Sequence, residues 1–304
     1  MMRLGTAPIT WGVCEMDGWG ERLPYPRVLD EMAALGFSGT ELGPPGYLPD
    51  DPDALRAALQ ARNLAFVGSF CPITAPRDRA GADHAVAEAQ ALTAFLAAAG
   101  APFLVLADAG DDARLAVAGR AGTPGSPALD REGWRWLAET AERIGADAND
   151  RGVRAVFHPE AGSYVETESE IEQLLGLTDP ALLGLCLDTG HVAYGGGDPV
   201  AIAERHARRI LHVHAKDVDP AILARVRDTG LGYFDAASAG IFVPAGDGMV
   251  DFAGVFKALD LARSDRWVIV EQDVRLGVGA VTQDPVANAR ASLAHLRHLA
   301  ERTT

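Results

Sequence analysis

Short apolar segments alternate with longer amphipathic segments along almost the whole chain. Several apolar segments have few polar residues on either face, which is typical of parallel strands that helices cover on both sides. Eight strands are predicted, at Leu4–Trp11, Ser38–Leu42, Leu64–Phe70, Phe103–Ala107, Val153–His158, Leu183–Asp188, Ile210–Ala215 and Trp267–Gln272.

The amphipathic segments predict helices between these strands. Four apolar residues within 252–259 recur at i, i+3, i+4 and i+7, which marks one helix face. Residues 167–170 have the spacing of a capping box. Asp-Pro pairs at 51–52, 198–199 and 284–285 each predict a helix start, with Asp as the cap and Pro in the first turn. Further helices are predicted over residues 25–36, 80–99, 130–151 and 286–302.

Eight strands with eight crossovers predict an α/β fold, the (β/α)8 TIM barrel, as a single domain over residues 1–304. A doubly wound open sheet is the alternative, but no G-x-G-x-x-G or Walker sequence follows any predicted strand. The connection from Asp217 to Val250 is expected to be a loop-rich insertion after strand seven. Loops at that end of a barrel shape the active site.

Composition narrows the class of function. A hydrophobic content of 48% with 23% charged residues is typical of a soluble globular protein. The net charge of −15 argues against nucleic-acid and membrane partners, since phosphate binding depends on Lys and Arg. Three cysteines without a CxxC pair suggest neither disulfides nor a thiolate zinc site. The first residues lack a signal-peptide core, and Gly100–Pro102 interrupts the uncharged run 91–107, so a cytoplasmic protein is expected.

Strands five to eight all end in residues that can bind a metal ion. The carboxyl ends of neighbouring barrel strands lie side by side, so these residues are expected to converge. Any one of them alone would be a helix cap or a buried histidine, but four such ends in succession favour a metal site. They are His158 and Glu160, then Asp188 and His191, then His212, His214, Lys216 and Asp217, and finally Glu271, Gln272 and Asp273. Mostly oxygen ligands favour Mn²⁺ or Co²⁺ over Mg²⁺, Fe²⁺ or Zn²⁺.

Three motifs at these strand ends, LDTGH, HVHAKD and VEQD, resemble the xylose-isomerase-like TIM-barrel superfamily of sugar isomerases, epimerases and dehydratases. Within it, the chain is most similar to the inosose dehydratase family, from about residue 5 to residue 275. The segments APITWG, GTELGPPGYLP, LDTGHVAYGGGDPV and AGIFVPAGDGMVDF carry this closer resemblance, which includes the insertion after strand seven.

The resemblance implies a divalent metal ion held by one residue from each of strands five to eight. Those ligands would be Glu160, Asp188, His214 and Glu271. The strand-five ligand is left open, because the family reads H-P-H-x-G-T where this chain reads HPEAGS. Glu160 is taken first, His158 second and Glu166 third.

The resemblance also implies an enzyme of inositol catabolism, a hydro-lyase acting on 2-keto-myo-inositol or a closely related cyclic polyol ketone through an enediolate. For that reaction, Glu271 or Glu160 is expected to remove the α-proton. His191 or His158 would protonate the departing hydroxyl. Lys216 would hold oxyanion charge or a substrate hydroxyl, and its alternative is a surface lysine paired with the next residue, an aspartate.

Three residues at the ends of other strands are expected to line the substrate pocket, although each could equally belong to the core. They are Trp11, Glu41 and Asp108, and His158 at the end of strand five is expected to bind the substrate as well.

Three other functions compete with dehydration. A metal-dependent keto-sugar isomerase or epimerase would use the same metal ion and enediolate, but would return the proton to carbon. A polyol-binding protein without activity would lack a complete ligand set, and an endonuclease would need a basic groove. A small-molecule substrate is therefore expected, and self-association to a homo-oligomer is left open.

Overall fold

Eight parallel strands close into a barrel in the computed structural model, which describes residues 2–14, 16, 18–278 and 283–303. Neighbours around the barrel follow the order of the chain, and the last strand pairs with the first. The strands are β1 Arg3–Thr6, β2 Gly39–Glu41, β3 Ala65–Ile73, β4 Phe103–Asp108, β5 Arg154–Phe157, β6 Gly184–Asp188, β7 Ile210–Ala215 and β8 Trp267–Val270. The predicted TIM barrel and its eight strands are confirmed.

Helices cover the outside of the barrel and complete its connections. The α-helices among the described residues are α1 Tyr25–Leu35, α2 Pro52–Gln60, α3 Arg79–Ala99, α4 Asp112–Leu115, α5 Arg131–Asp150, α6 Glu168–Leu177, α7 Thr189–Tyr194, α8 Pro199–His206, α9 Pro220–Thr229, α10 Tyr233–Ser238, α11 Phe252–Leu259 and α12 Pro285–Thr303. Short 3-10 helices span Pro8–Trp11 and Leu261–Arg263.

The helix-start signals in the sequence are confirmed. Asp51 and Asp198 accept hydrogen bonds from the first turns of α2 and α8, and Asp284 does so for α12. Thr167 and Glu170 form both bonds of the capping box at α6. Each bond satisfies a backbone N–H that the helix itself leaves unpaired.

Strand one is shorter than the pattern predicts. It ends at Thr6, and the 3-10 helix that follows contains Trp11. Pro8 has no backbone N–H and therefore cannot continue the ladder of a central strand. Trp11 accordingly does not stand at a strand end.

The uncharged run 91–107 divides as the sequence indicates. Its first part ends α3, Gly100 takes a left-handed conformation with φ of 85°, and its last part forms β4. In the described parts of the chain, no helix combines the length and apolarity needed to cross a bilayer.

The insertion expected after β7 is present, and it contains more regular structure than a loop-rich connection. Residues 217–250 contain α9, α10 and an antiparallel ribbon that pairs Asp217–Val218 with Phe242–Val243. Its buried apolar residues pack with Tyr194 in a cluster separate from the barrel core. The insertion is therefore a folded cover above the carboxyl ends of β6 and β7.

One buried carboxylate, next to the end of β7, joins the two ends of this cover. Asp217, which is fully buried, accepts backbone hydrogen bonds from Val218, Gly246, Gly248 and Val250 at 2.9–3.0 Å. Four donors to one side chain fix both ends of the cover, because each buried N–H needs an acceptor.

Candidate active site

Four side chains converge where β5 to β8 end. His158, Asp188, His214 and Glu271 each offer a ligand atom within 4.8 Å of the others. Oδ2 of Asp188 lies 3.3 Å from Nε2 of His158 and 3.8 Å from Nδ1 of His214. Nδ1 of His214 lies 3.1 Å from Oε2 of Glu271. All four side chains are buried.

This geometry fits a divalent metal ion. Two ligand atoms that are each about 2.1 Å from one ion lie roughly 3–4 Å from each other, which matches the separations just given. Nδ1 of His214 is buried and has no hydrogen-bond partner among the described residues. A cation between the carboxylates would give this nitrogen a partner. Two imidazoles and two carboxylates suit Zn²⁺, Mn²⁺, Co²⁺ or Fe²⁺.

Each histidine of the cluster meets a further carboxylate at its other ring nitrogen. Oε1 of Glu41 lies 3.2 Å from Nε2 of His214, and Oε2 of Glu160 lies 3.1 Å from Nδ1 of His158. Carboxylates at this position fix the tautomer and ring orientation of metal-binding histidines. Glu41, expected to line the substrate pocket, does reach the cavity but also orients His214.

The structure reverses the expected order of ligands after strand five. His158 directly follows β5, and its backbone N–H bonds to the carbonyl of Leu106, so its ring turns into the barrel with the other three. Glu160 comes after Pro159 and groups instead with His158 and His191. Its side chain is 26% exposed, whereas that of His158 is 3% exposed.

Glu166, the third alternative, supports a loop instead of facing the cluster. Its carboxylate accepts backbone hydrogen bonds from Gly119 and Gly162 at 2.9 and 2.6 Å. Burial raises the pKa of this carboxyl group. The expectation that Glu166 could bind the metal ion is wrong, because its oxygens are used by the main chain.

Of the two other residues expected to line the substrate pocket, Asp108 reaches the cavity and Trp11 does not. Asp108 lines the cavity, but its two oxygens accept backbone hydrogen bonds from Ala75 and Tyr164. Trp11 is completely buried, and its indole N–H donates to Glu31 at 2.8 Å. The expectation that Trp11 lines the pocket is wrong, since its strand ends before it.

A cavity of about 300 Å³ opens above the four-residue cluster. Its lining includes predicted polar residues, namely Glu41, Asp108, His158, Glu160, His191, His214, Lys216, Glu271 and Asp273. Apolar side chains line it as well, among them Ile9, Val13, Trp19 and Phe70. Such a mixed lining can bind a ring with polar edges and C–H faces.

Lys216 is a buried cation at the centre of several carboxylates. Its Nζ lies 2.8 Å from Asp273, 3.2 Å from Glu271 and 3.4 Å from Asp188. Burial opposes its charge, but these carboxylates raise the pKa of Lys216 well above its ordinary value. The alternative of a surface lysine paired with Asp217 is wrong, because the side chain is 3% exposed.

His191 presents one ring nitrogen to the cavity. The backbone N–H of Ala161 donates to Nδ1 at 3.1 Å, which leaves the proton of the neutral ring on Nε2. Nε2 lies 3.0 Å from Nζ of Lys216 and 3.4 Å from Oε1 of Glu160. Burial lowers the pKa of His191 and so favours the neutral ring.

The charge of Lys216 also acts on the metal-ligand candidates. Burial alone would raise the pKa of Asp188, but the ammonium of Lys216 holds it well below its ordinary value. Asp188 is therefore ionised, which is the form that binds a cation.

Tyr233 and Trp19 are among the cavity residues that are not predicted from the sequence. Tyr233 reaches the cavity from α10, and its hydroxyl donates to Asp273 at 3.0 Å. Trp19 reaches it from the segment before α1, and its indole N–H donates to the carbonyl of Val274. Asp273, the second acid of VEQD, is expected at the end of strand eight and does reach the cavity. Nothing local marks Tyr233, whose contacts come from distant parts of the chain.

Comparison with known proteins identifies the family. The family model described as xylose isomerase-like TIM barrel matches residues 29–299. The chain is 33% identical over 279 residues to inosose dehydratase of Clostridium beijerinckii, covering 90% of each protein. It is 32% identical over 275 residues to inosose dehydratase of Geobacillus thermodenitrificans, again covering 90% of each.

Solved structures of low sequence identity share the fold. One reported as L-ribulose 3-epimerase has a TM-score of 0.73 at 16% identity, covering 100% of this chain and 96% of that one. One reported as IOLI protein with a binding zinc atom has a TM-score of 0.70 at 16% identity, covering 100% and 99%. The chain belongs to the xylose isomerase-like TIM-barrel family and, within it, to the enzymes that resemble inosose dehydratases.

Proposed function

We propose that this protein is a metal-dependent dehydratase that eliminates water from 2-keto-myo-inositol or a closely related cyclic polyol ketone, in inositol catabolism. The observation that carries the proposal is the cluster of His158, Asp188, His214 and Glu271 at the floor of the cavity. The identity of 33% to an inosose dehydratase over 90% of each protein supports the choice of reaction.

The charges around the cavity favour a neutral substrate. Lys216 is the one Lys or Arg among the described residues that line it, and three carboxylates already surround its ammonium. Glu41, Glu160 and the other acids would repel a phosphate or carboxylate group. They can instead accept hydrogen bonds from the hydroxyls of a polyol ketone.

The metal site contributes Lewis acidity at the substrate carbonyl, which eases removal of the neighbouring proton. His158, Asp188, His214 and Glu271 would hold the ion. Glu160 then remains as the base, because its partly exposed carboxylate faces the cavity outside the cluster. Glu271, the other expected base, would be occupied as a ligand. We assign the α-proton to Glu160.

Loss of water follows when the β C–O bond breaks and its electron pair leaves with the oxygen. That oxygen needs a proton, and the electron pair of the enediolate forms the new carbon–carbon double bond. His191 and Lys216, whose Nε2 and Nζ lie 3.0 Å apart, both carry protons at the cavity. We assign the proton to the ammonium of Lys216, with Nε2–H of the neutral His191 donating a hydrogen bond to the departing oxygen, since His158 would be a ligand.

The preferred metal remains part of the proposal. Mn²⁺ or Co²⁺ was expected from a ligand set with one nitrogen, but two imidazoles bring Zn²⁺ closer to them. We also propose a cytoplasmic location and a small-molecule substrate. Self-association to a homo-oligomer is left open.

Metal-stripped protein incubated with 2-keto-myo-inositol tests the function. Addition of Mn²⁺, Co²⁺ or Zn²⁺ is expected to start the appearance of an unsaturated product that absorbs in the ultraviolet and has lost one water by mass. The matched control is Asp188→Asn, which is expected to lose both the metal ion and turnover. A product of unchanged mass would overturn dehydration in favour of isomerisation or epimerisation.

A further inference from the structure

Tyr233 is the contribution of the insertion to the cavity. Its hydroxyl donates a 3.0 Å hydrogen bond to Oδ2 of Asp273, while Oδ1 of the same carboxylate lies 2.8 Å from Nζ of Lys216. One carboxylate thus links a phenol from the cover to an ammonium at the end of β7. Tyr233 is 6% exposed and Asp273 is 8% exposed, so water competes little with these bonds.

Aromatic packing holds the phenol in place. The ring of Tyr233 lies nearly parallel to that of His191, with centroids 6.4 Å apart and planes at 15°. Phe242 packs against both rings, with centroids 6.1 Å from Tyr233 and 5.7 Å from His191. Its face also lies 5.4 Å from Nζ of Lys216. The phenol hydroxyl therefore cannot leave Asp273 without displacing the rings that confine the ammonium and the imidazole.

These contacts form a series from the insertion to the reaction centre. Tyr233 bonds to Asp273 and Asp273 to Lys216, whose Nζ lies 3.0 Å from Nε2 of His191. Tyr233 takes part in none of the metal-ligand contacts described above, and in the proposed reaction the base is Glu160. The nearest effect of Tyr233, through Asp273, is therefore on Lys216.

We propose that Tyr233 is a positioning residue for water loss: through Asp273 it holds Lys216 beside His191, where the ammonium can protonate the departing hydroxyl. The inference rests on the proposed function. The two halves of the reaction are then served by different parts of the fold. Strand ends carry the metal ligands and the strand-five loop carries the base, whereas the cover secures the proton donors.

The test compares Tyr233→Phe with Tyr194→Phe. Both variants remove one phenol hydroxyl from the same aromatic cluster, in which the two tyrosine rings lie 5.7 Å apart. The hydroxyl of Tyr194 is buried without a hydrogen-bond partner among the described residues, so its loss leaves no group unpaired. Thermal unfolding and metal content of both variants establish that the fold and the metal site persist.

Two rates are measured in D2O for each protein, exchange of the α-hydrogen by NMR and loss of water by absorbance. In Tyr233→Phe, water loss is expected to slow about 100-fold, the effect of a misplaced catalytic group, with KM and α-hydrogen exchange within about twofold of wild type. Tyr194→Phe is expected to match wild type in both rates. Equal slowing of both rates, or slowing of neither, in Tyr233→Phe would overturn the inference.

A second variant separates this link from general damage to the cavity. Asp273→Asn breaks the same series, so the double variant Tyr233→Phe/Asp273→Asn is expected to lose no more than the slower single variant. If the rate losses of the two single variants multiply in the double variant, the inference is overturned. The wild-type protein is measured before any variant. If it exchanges the α-hydrogen of the substrate without eliminating water, dehydration itself is refuted.

Discussion

Nε2 of His214 lies 3.2 Å from Oε1 of Glu41, although the two residues are 173 positions apart in the chain. Because β2 and β7 lie on different sides of the barrel, the interaction crosses its interior. The side chain of Glu41 is 4% exposed, so the contact is formed away from solvent.

Removal of Glu41 is expected to weaken metal binding without removing a ligand. Glu41→Ala should lower the affinity for Mn²⁺ or Zn²⁺ about 10–100-fold, the usual effect of losing the carboxylate behind a ligating histidine. Glu41→Gln keeps an oxygen that can accept from Nε2 of His214 and should lose less. Titration calorimetry of the metal-stripped proteins gives the affinities, and equal affinities for Ala, Gln and wild type would contradict this role.

The strand-five ligand can be decided by comparing His158→Ala with Glu160→Ala. We expect His158→Ala to reduce bound metal to background, because it removes one of four converging ligand atoms. Glu160→Ala should bind metal about 10–100-fold more weakly than wild type but still measurably. Metal analysis after dialysis against a fixed free concentration separates them. The reverse order would make Glu160 the ligand.

The loop that carries Glu160 depends on a buried ion pair. Arg114, which is fully buried, forms two bonds to Glu170 at 2.9 and 3.0 Å and donates to the carbonyl of Ser163. Arg114→Ala leaves the carboxylate of Glu170 without its guanidinium partner and should lower the free energy of unfolding by about 3–5 kcal/mol. Urea unfolding measures this change in stability.

The control for that variant is Arg135→Ala. Arg135 also contacts two carboxylates, Glu132 and Glu139, but on an exposed face of α5. Its removal should change stability little, because solvent screens exposed ion pairs. Similar losses for both arginines would show that burial does not decide the strength of these pairs.

The cover should loosen when its anchor is removed. Asp217→Ala deletes the acceptor of four backbone N–H groups and should make residues 217–250 sensitive to protease while metal binding persists. Asp219→Ala removes only the cap of α9 and serves as the control, with a cost of about 1 kcal/mol. Equal protease sensitivity of the two variants would exclude Asp217 as the anchor.

The barrel and the convergence of strands five to eight were predictable because both follow from local patterns. Strand periodicity and Asp-Pro helix starts are short-range signals, and the barrel topology then brings the strand ends together. Asp188, His214 and Glu271 were placed correctly at one point for that reason. Whether residues 1–304 form a single domain stays a prediction, as do the roles of the site residues.

Other features depend on contacts that no local pattern records. His158, not Glu160, belongs to the cluster because it directly follows β5, and Tyr233 meets Asp273 only after the cover has folded. Two features that differ from the prediction do have local signals. Pro8 ends strand one before Trp11, and Asp219 with its following proline begins α9 just as other Asp-Pro pairs begin helices.

His214, Lys216 and Asp217 stand within four consecutive residues, yet they serve the metal site, the proton donors and the anchor of the cover. An attempt to alter substrate range by exchanging residues 217–250 would therefore disturb catalysis as well as recognition. A functional chimera would need its junctions before His214 and after Asp273, so that the cover travels with Glu271 and Asp273, two of the carboxylates around Lys216. Evolution of new substrates on this scaffold is accordingly easier at Trp19 and Phe70, apolar residues of the cavity lining, than within the cover.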